Sequence, residues 1–319
     1  MFKEIIEQIN KASNIAISFH VSPDGDSIGS ALALMYGLRK LGKKVNILCK
    51  EAVPEILNFL PSVEEINKSD GTIDDDVDCL IVLDCGNVER INCHFKDIAP
   101  RKYVLVNMDH HLSNDFYGDV NYVDPSYSAV GEIIYLLLQE MGISIDTEIA
   151  KCLYTSIITD CGSFKFSNTT ALTHKIAGDL ITKNIDFSEI HRIIYENKKL
   201  ALVKLTGRLI DSLYLACDDR VCIIEVSKAL MKEYSVSTSE VSDLVSIGAE
   251  IRGVEVVVFI KENDDNYKVS LRSKTNFDVR KLAEDYGGGG HSKASGFTYS
   301  GSVEELKETL IQKIGDSLK

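Results

Sequence analysis

The sequence predicts an α/β protein in two parts: a parallel-sheet domain wound with helices, then a smaller α+β domain. Three observations carry this. Short apolar runs alternate with helical segments through the first half of the chain. The alternation gives way to a charged, mostly helical stretch, after which strands resume. The chain has 319 residues, more than one ordinary core supports, and its 45% apolar content can fill two. The expected division is residues 1–185 as the first domain, 186–215 as a helical linker and 216–319 as the second domain.

The elements follow in order. Met1-Phe2-Lys3-Glu4-Ile5-Ile6-Glu7 opens an acidic amphipathic helix and does not read as a signal peptide. Ile15–Phe19 is a short apolar strand. Ser27–Leu41 is a helix rich in Ala, Leu and Gly, closed by Gly42 at the C′ position. Lys44–Cys49, Cys79–Leu83 and Lys102–Met108 are further strands. Ala129–Met141, ended by Gly142, and Thr147–Ile158 are helices. This pattern predicts a parallel sheet with helices on both faces, and the charge run Asp70–Asp78 reads as a solvated loop. In the second half Arg220–Val226, Gly253–Lys261 and Tyr267–Arg272 are strands, the last two joined by the turn Glu262–Asn266. Helices are expected at Ser239–Gly248, Asp278–Tyr286 and Ser302–Leu318.

Composition excludes some functions. A formal net charge of −13 disfavours gripping long duplex DNA through many phosphates. A short phosphate ligand is still compatible, provided metal ions or a local basic pocket invert the field. No run of 18 apolar residues occurs, so no membrane-spanning helix is expected and the predicted location is cytoplasmic. The eight cysteines form no C-x2-C pair and read as reduced, buried residues. Cys85 and Cys161, each following an aspartate of interest, read as small packing residues.

The chemistry gathers at the ends of apolar elements, where open α/β sheets place their sites. The first strand leads into His20-Val21-Ser22-Pro23-Asp24-Gly25-Asp26, the next buried run ends at Asp84, and Lys102–Met108 ends at Asp109-His110-His111. Asp160 follows an apolar helix. Asp26 alone also fits a helix N-cap, but a cap does not explain His20 and Asp24. Charged groups clustered in this way are costly to desolvate without a compensating cation. Asp24, Asp26, Asp84 and Asp160 supply four negative charges, and His20 and His110 two neutral nitrogens. Two divalent cations balance that set and suit phosphoryl displacement. Mixed imidazole and carboxylate ligation favours Mn²⁺ over Ca²⁺ and is compatible with Mg²⁺, Co²⁺ or Zn²⁺.

These residues resemble the DHH phosphoesterase superfamily. His20-x3-Asp24-x-Asp26-Ser27, Asp84, Asp109–His111 and Asp160 match its motifs in order and spacing. Val269-Ser270-Leu271-Arg272-Ser273-Lys274, Gly287-Gly288-Gly289-Gly290-His291 and Ala294-Ser295-Gly296-Phe297 resemble the DHHA1 accessory domain. The compact two-domain form is similar to the nanoRNase group of bifunctional oligoribonucleases and pAp phosphatases. The resemblance implies a catalytic cleft between a DHH and a DHHA1 domain and two Mn²⁺ ions. It implies hydrolysis of short RNA or DNA oligonucleotides to mononucleotides and of the 3′-phosphate of pAp (3′-phosphoadenosine 5′-phosphate). Some members cleave linear or cyclic dinucleotides, and homodimers are common.

By position, the resemblance assigns His20 and Asp24 to one metal, Asp26 and His110 to the other, Asp84 as the bridge and Asp160 as completing the shell. It makes Asp109 the support that orients His110, and His111 the residue facing the scissile phosphate. Gly288, Gly289, Gly290 and His291, with Arg272, would hold the non-reacting phosphate, the glycine loop offering close approach and backbone N–H groups. Ser128 and Lys165 are further candidate substrate contacts; Lys165 stands where arginine is frequent, Cys161 where a small polar residue is common, and Val130 where a polar one is. The competing readings are a cyclic di-AMP or pApA phosphodiesterase and a non-catalytic nucleotide-binding regulator. Inorganic pyrophosphatase activity would share the first-domain ligands, but the glycine–histidine segment points elsewhere.

Overall fold

The buried apolar runs form the first sheet. In the computed structural model, which describes residues 1–95 and 101–318, these are β1 (Asn14–Ser18), β2 (Lys44–Ile47), β3 (Cys79–Leu83), β4 (Val104–Asp109) and β5 (Val120–Val123). All pair in parallel, in the order β2-β1-β3-β4-β5. The helices are α1 (Lys3–Lys11), α2 (Gly25–Lys40), α3 (Val63–Ile66), α4 (Val130–Glu140), α5 (Thr147–Asp160), α6 (Ala171–Ile181) and α7 (Phe187–Tyr195). Gly42 and Gly142 end α2 and α4 with positive φ, as expected.

Among the described residues, helices pack on one face of the sheet and not on both. Ile15, Ile17, Ile81 and Leu83 join one core to which all seven helices contribute. Ala16, Leu80, Val82 and Leu105 point the other way, against Ile73, Val77, Ile91 and Cys93 from loops and Val88 from a 3-10 turn. The links from β2 to β3 and from β3 to β4 carry, among the described residues, only α3 and single 3-10 turns, too little to cover a sheet face. The Asp70–Asp78 run is accordingly more than a solvated loop: Val77 is buried in it, and Asp78 accepts the N–H groups of Ser13 and Asn14 at 2.8 and 2.9 Å.

The chain divides into two units, Met1–Asn197 and Lys198–Lys319. The stretch that reads as a linker is shared between them: α7 contributes Ile190 to the first core, and α8 (Leu200–Ser212) packs Leu202, Leu205 and Leu209 in the second unit. The second sheet runs β10-β11-β9-β8-β7-β6, with β6 (Tyr214–Ala216), β7 (Val221–Val226), β8 (Val256–Glu262), β9 (Tyr267–Ser273), β10 (Gly289–His291) and β11 (Ala294–Tyr299). Only β7 and β8 are parallel. The other helices of this unit are α9 (Lys228–Glu233), α10 (Ser246–Glu250), α11 (Val279–Glu284) and α12 (Val303–Leu318). One face of the sheet is covered by α11 and α12, the other by α8, α9 and α10. The helix expected at Ser239–Gly248 is broken into a 3-10 turn, Ser242–Val245, and α10; serines here offer the backbone local alternatives to helix. No helix among the described residues is long and apolar enough to cross a membrane.

Candidate active site

The C-terminal ends of the adjacent strands β1, β3 and β4 and the end of α5 bring the first-unit residues together. Asp24, not Asp26, is the N-cap of α2: its Oδ1 accepts from the N–H groups of Asp26 and Ser27, both at 3.1 Å. Its Oδ2 is left facing His20 Nε2 at 3.7 Å. Asp26 is buried instead. Its Oδ1 accepts from the hydroxyls of Ser30 (3.0 Å) and Ser156 (2.5 Å) and the N–H of Gly131 (3.2 Å), and its Oδ2 from the N–H of Val130 (2.8 Å). Gly131 permits this seat, because a Cβ there would collide with the Ser156 hydroxyl.

Asp84 stands in the middle. Its Oδ2 lies 3.3 Å from His20 Nε2, and its Oδ1 lies 3.5 Å from His110 Nε2 and 3.5 Å from His111 Nδ1. His110 Nε2 also faces Asp160 Oδ2 at 3.8 Å and Asp26 Oδ2 at 3.9 Å. Three ligand-sized groups result among the described residues, His20–Asp24–Asp84, Asp26–His110–Asp160 and Asp84–Asp109–His110–His111, with Asp84 adjoining all of them. The Nδ1 atoms of His20 and His110 meet the carbonyls of Val21 (2.8 Å) and Tyr127 (3.1 Å). A carbonyl only accepts, so each Nδ1 carries a proton and each Nε2 is turned toward the cluster, where it would ligate a cation once its own proton is displaced.

The expected role of Asp109 is corrected. Its Oδ1 holds His111 Nδ1 at 2.7 Å and the backbone N–H of His110 at 2.8 Å, while Asn114 Nδ2 donates to its Oδ2 at 2.6 Å. Asp109 therefore orients the His111 ring; the His110 ring is set by Tyr127.

The cluster calls for positive charge. Burial by itself lowers His20, but Asp24 and Asp84 reverse this and push its pKa up to about 12. Burial, then the negative charges of Asp84 and Asp24, raise Asp160 to about 7 against the opposing pull of His110. Burial and the carboxylates of Asp84 and Asp160 push Asp26 up as well, although four donors favour its anion. For Asp84 burial acts upward, yet His110 and His20 outweigh it and hold it well below the usual carboxylate range. Its buried Oδ1 nevertheless has no hydrogen-bond donor among the described residues. An orphaned anionic oxygen flanked by imidazoles fits a cation ligand.

In the second unit only Gly287 and Gly288 of the glycine run lie outside a regular element. Gly289–His291 is the edge strand β10, paired antiparallel with β11. The N–H groups of Gly287 and Gly288 are taken by the carbonyls of Glu284 (3.0 Å) and Ala283 (2.9 Å), which end α11, and so are not free for an anion. The close approach at Gly288 is to the chain itself, since a Cβ there would strike the Gly296 carbonyl oxygen. Gly290, likewise, has φ +135 and lies against Ala294 and Ser295; Gly287 and Gly289 border open space. The register aligns His291 with Ala294 and Ala294 with Arg272. Directly opposed residues share a face, so Arg272 and His291 lie on one side of the sheet.

Ser128 is not a surface contact. It is fully buried, its hydroxyl donating to Glu132 at 2.8 Å and accepting from Thr173 at 3.1 Å. Lys165 is exposed in the turn after α5, where Gly162, Ser163 and Phe164 all have positive φ. Cys85 and Cys161 are buried packing residues, as expected. Sequence reasoning misses Asn114, Ser156 and Asn168, whose Nδ2 donates to the Asp160 carbonyl at 3.2 Å. Their only signal is a polar residue within or beside an apolar element.

Family comparison agrees with this geometry. The DHH family N-terminal domain model matches residues 14–157, and the DHHA1 domain model matches residues 218–319. The chain is 35% identical to the bifunctional oligoribonuclease and PAP phosphatase NrnA of Bacillus subtilis (strain 168), covering 93% of this chain and 92% of that one. It is 28% identical to the protein of the same name from Thermus thermophilus, covering 95% and 90%. An exopolyphosphatase-related protein from Bacteroides fragilis superposes with a TM-score of 0.92 at 27% identity, covering 99% of this chain and 97% of that one. The chain belongs to the DHH family of phosphoesterases, which are hydrolases, in the form that carries a C-terminal DHHA1 domain.

Proposed function

We propose that the chain is a Mn²⁺-dependent phosphoesterase that hydrolyses RNAs of two to five nucleotides to mononucleotides and removes the 3′-phosphate of pAp. The observation that carries this is Asp84, whose two buried oxygens face different histidines and one of which has no donor. His20 and Asp24 would hold one ion, Asp26 and His110 the other, Asp84 both, and Asp160 would complete the set. A pair of divalent cations, when bound, supplies charge stabilisation to the attacking and leaving oxygens of a phosphoryl displacement. Mixed imidazole and carboxylate donors support Mn²⁺, and the names of the relatives support the two substrates.

Other residues would do the rest. Asp109 fixes Nδ1 of His111, which raises its basicity and presents Nε2 to donate a hydrogen bond or proton to the departing oxygen. Arg272 and His291 of the second unit hold the phosphate that does not react, and Lys165, in the turn after α5, is a further substrate contact. Cysteines without a disulfide among the described residues support a reducing, cytoplasmic setting.

The test is a Mn²⁺-supplemented assay on a labelled length series from two to twenty-four nucleotides, with pAp, pApA and cyclic di-AMP beside it. Fast turnover of the shortest RNAs and of pAp, falling with length, is expected. Preference for cyclic di-AMP or pApA would replace this substrate assignment, and nucleotide binding without phosphate release would replace the enzymatic one.

A further inference from the structure

The two halves of the metal site are built differently, and the difference traces to a residue outside the ligand set. Every member of the Asp26–His110–Asp160 half is held by one short segment at the start of α4. The Tyr127 carbonyl accepts from His110 Nδ1. The Ser128 carbonyl accepts from Asn168 Nδ2 at 3.0 Å, and that same nitrogen reaches the Asp160 carbonyl at 3.2 Å and Asp160 Oδ2 at 3.5 Å. The N–H groups of Val130 and Gly131 hold Asp26. The His20–Asp24–Asp84 half is not held by one shared segment among the described residues: Asp24 is capped by the N–H groups of Asp26 and Ser27. Its Asp24 side chain is 56% exposed, and its His20 ring rests on the carbonyl of the next residue.

Glu132 is what fixes the segment. Its carboxylate is fully buried, with Oε1 accepting from the Ser128 hydroxyl at 2.8 Å and Oε2 from the Ser128 N–H at 3.0 Å. A third-position glutamate that reaches back to the chain entering a helix is an ordinary capping device. Here the residue it grips lies next to the carbonyl that aims His110, and its own carbonyl anchors Asn168. The buried Thr173 hydroxyl closes the arrangement from α6.

We propose that Glu132 is a positioning residue for the Asp26–His110–Asp160 half, so that this half binds its cation tightly and the His20–Asp24–Asp84 half is the exchangeable one. The inference rests on the two-metal reading above. Partners that orient metal ligands are worth about 10- to 100-fold in metal affinity. The experiment is Mn²⁺ titration of the full chain by calorimetry and by electron paramagnetic resonance, comparing wild type with Glu132→Gln and Ser128→Ala. Wild type is expected to bind two ions with unequal affinity. Glu132→Gln should weaken the tighter ion roughly 10- to 100-fold and leave the weaker ion unchanged. Turnover of Glu132→Gln should recover as Mn²⁺ is raised, with KM for pAp unchanged. Ser128→Ala, which keeps the N–H bond, should act in the same direction and less, and it decides the matter if Glu132→Gln does not fold. Wild type that binds no ion overturns the metal reading itself. Two-ion wild type with unchanged affinities in the variants, or equal weakening of both ions, overturns only the role of Glu132.

Discussion

Arg272 and His291 stand in one cross-strand row of the second sheet, separated by the small side chain of Ala294. Two strand spacings put their backbones roughly 10 Å apart, with only a methyl group between. A phosphate group can therefore meet both side chains from the same side. Arg272→Ala should lose a charged hydrogen bond of about 1.5–3 kcal/mol, seen as a drop of roughly 10- to 100-fold in kcat/KM for pAp. Ala294→Leu, which fills the space between them, should raise KM for pAp without altering Mn²⁺ binding. Unchanged kinetics in both variants would remove this row from substrate recognition.

The seat of Asp26 depends on close packing of α4 against α5. Gly131→Ala would drive a methyl into Ser156, and overpacking of this kind costs about 1–3 kcal/mol. The measurement is urea unfolding in chelator. The cost should shrink in a Ser156→Ala background, because the atom struck first is gone. Strictly additive effects would show that the two positions do not meet.

Metal affinity should rise with pH. Asp160, pushed up to about 7, and His20, pushed up to about 12, bind protons that a cation must displace. Each displaced proton contributes about tenfold per pH unit. Below pH 7 Asp160 adds its proton to those released by His20 and by His110, which the neighbouring carboxylates also push up, and above it Asp160 no longer does, so the dependence should be steeper between pH 6 and 7 than between pH 8 and 9. Competition titrations with a buffered Mn²⁺ indicator read this directly, and a flat profile would contradict it.

The cluster of candidate ligands is legible in the sequence because two local rules coincide at it. Uncharged runs mark the buried strands β1, β3 and β4, and a charged residue at the end of such a run stands out against them. What supports those ligands is not legible. The Tyr127 carbonyl that sets His110 belongs to the backbone and leaves no residue signature. Asn168 lies in a loop and reaches Asp160 only after the chain has turned back on itself. The glycine run reads as a loop because nothing in it resembles a strand. Its pairing arises from β11 across the turn Ser292-Lys293, and its open conformations are spent on packing against that strand. The sheet face without helices is hidden for a similar reason: its cover is irregular chain, which has no period to detect.

Whether Asp84 joins two cation sites is read from Mn²⁺ stoichiometry measured beside activity. Equilibrium dialysis of wild type should give two ions per chain, and Asp84→Ala should bind fewer and lose turnover of both a dinucleotide and pAp together. Full activity in Asp84→Ala, or wild-type turnover that persists in excess chelator, would contradict the account.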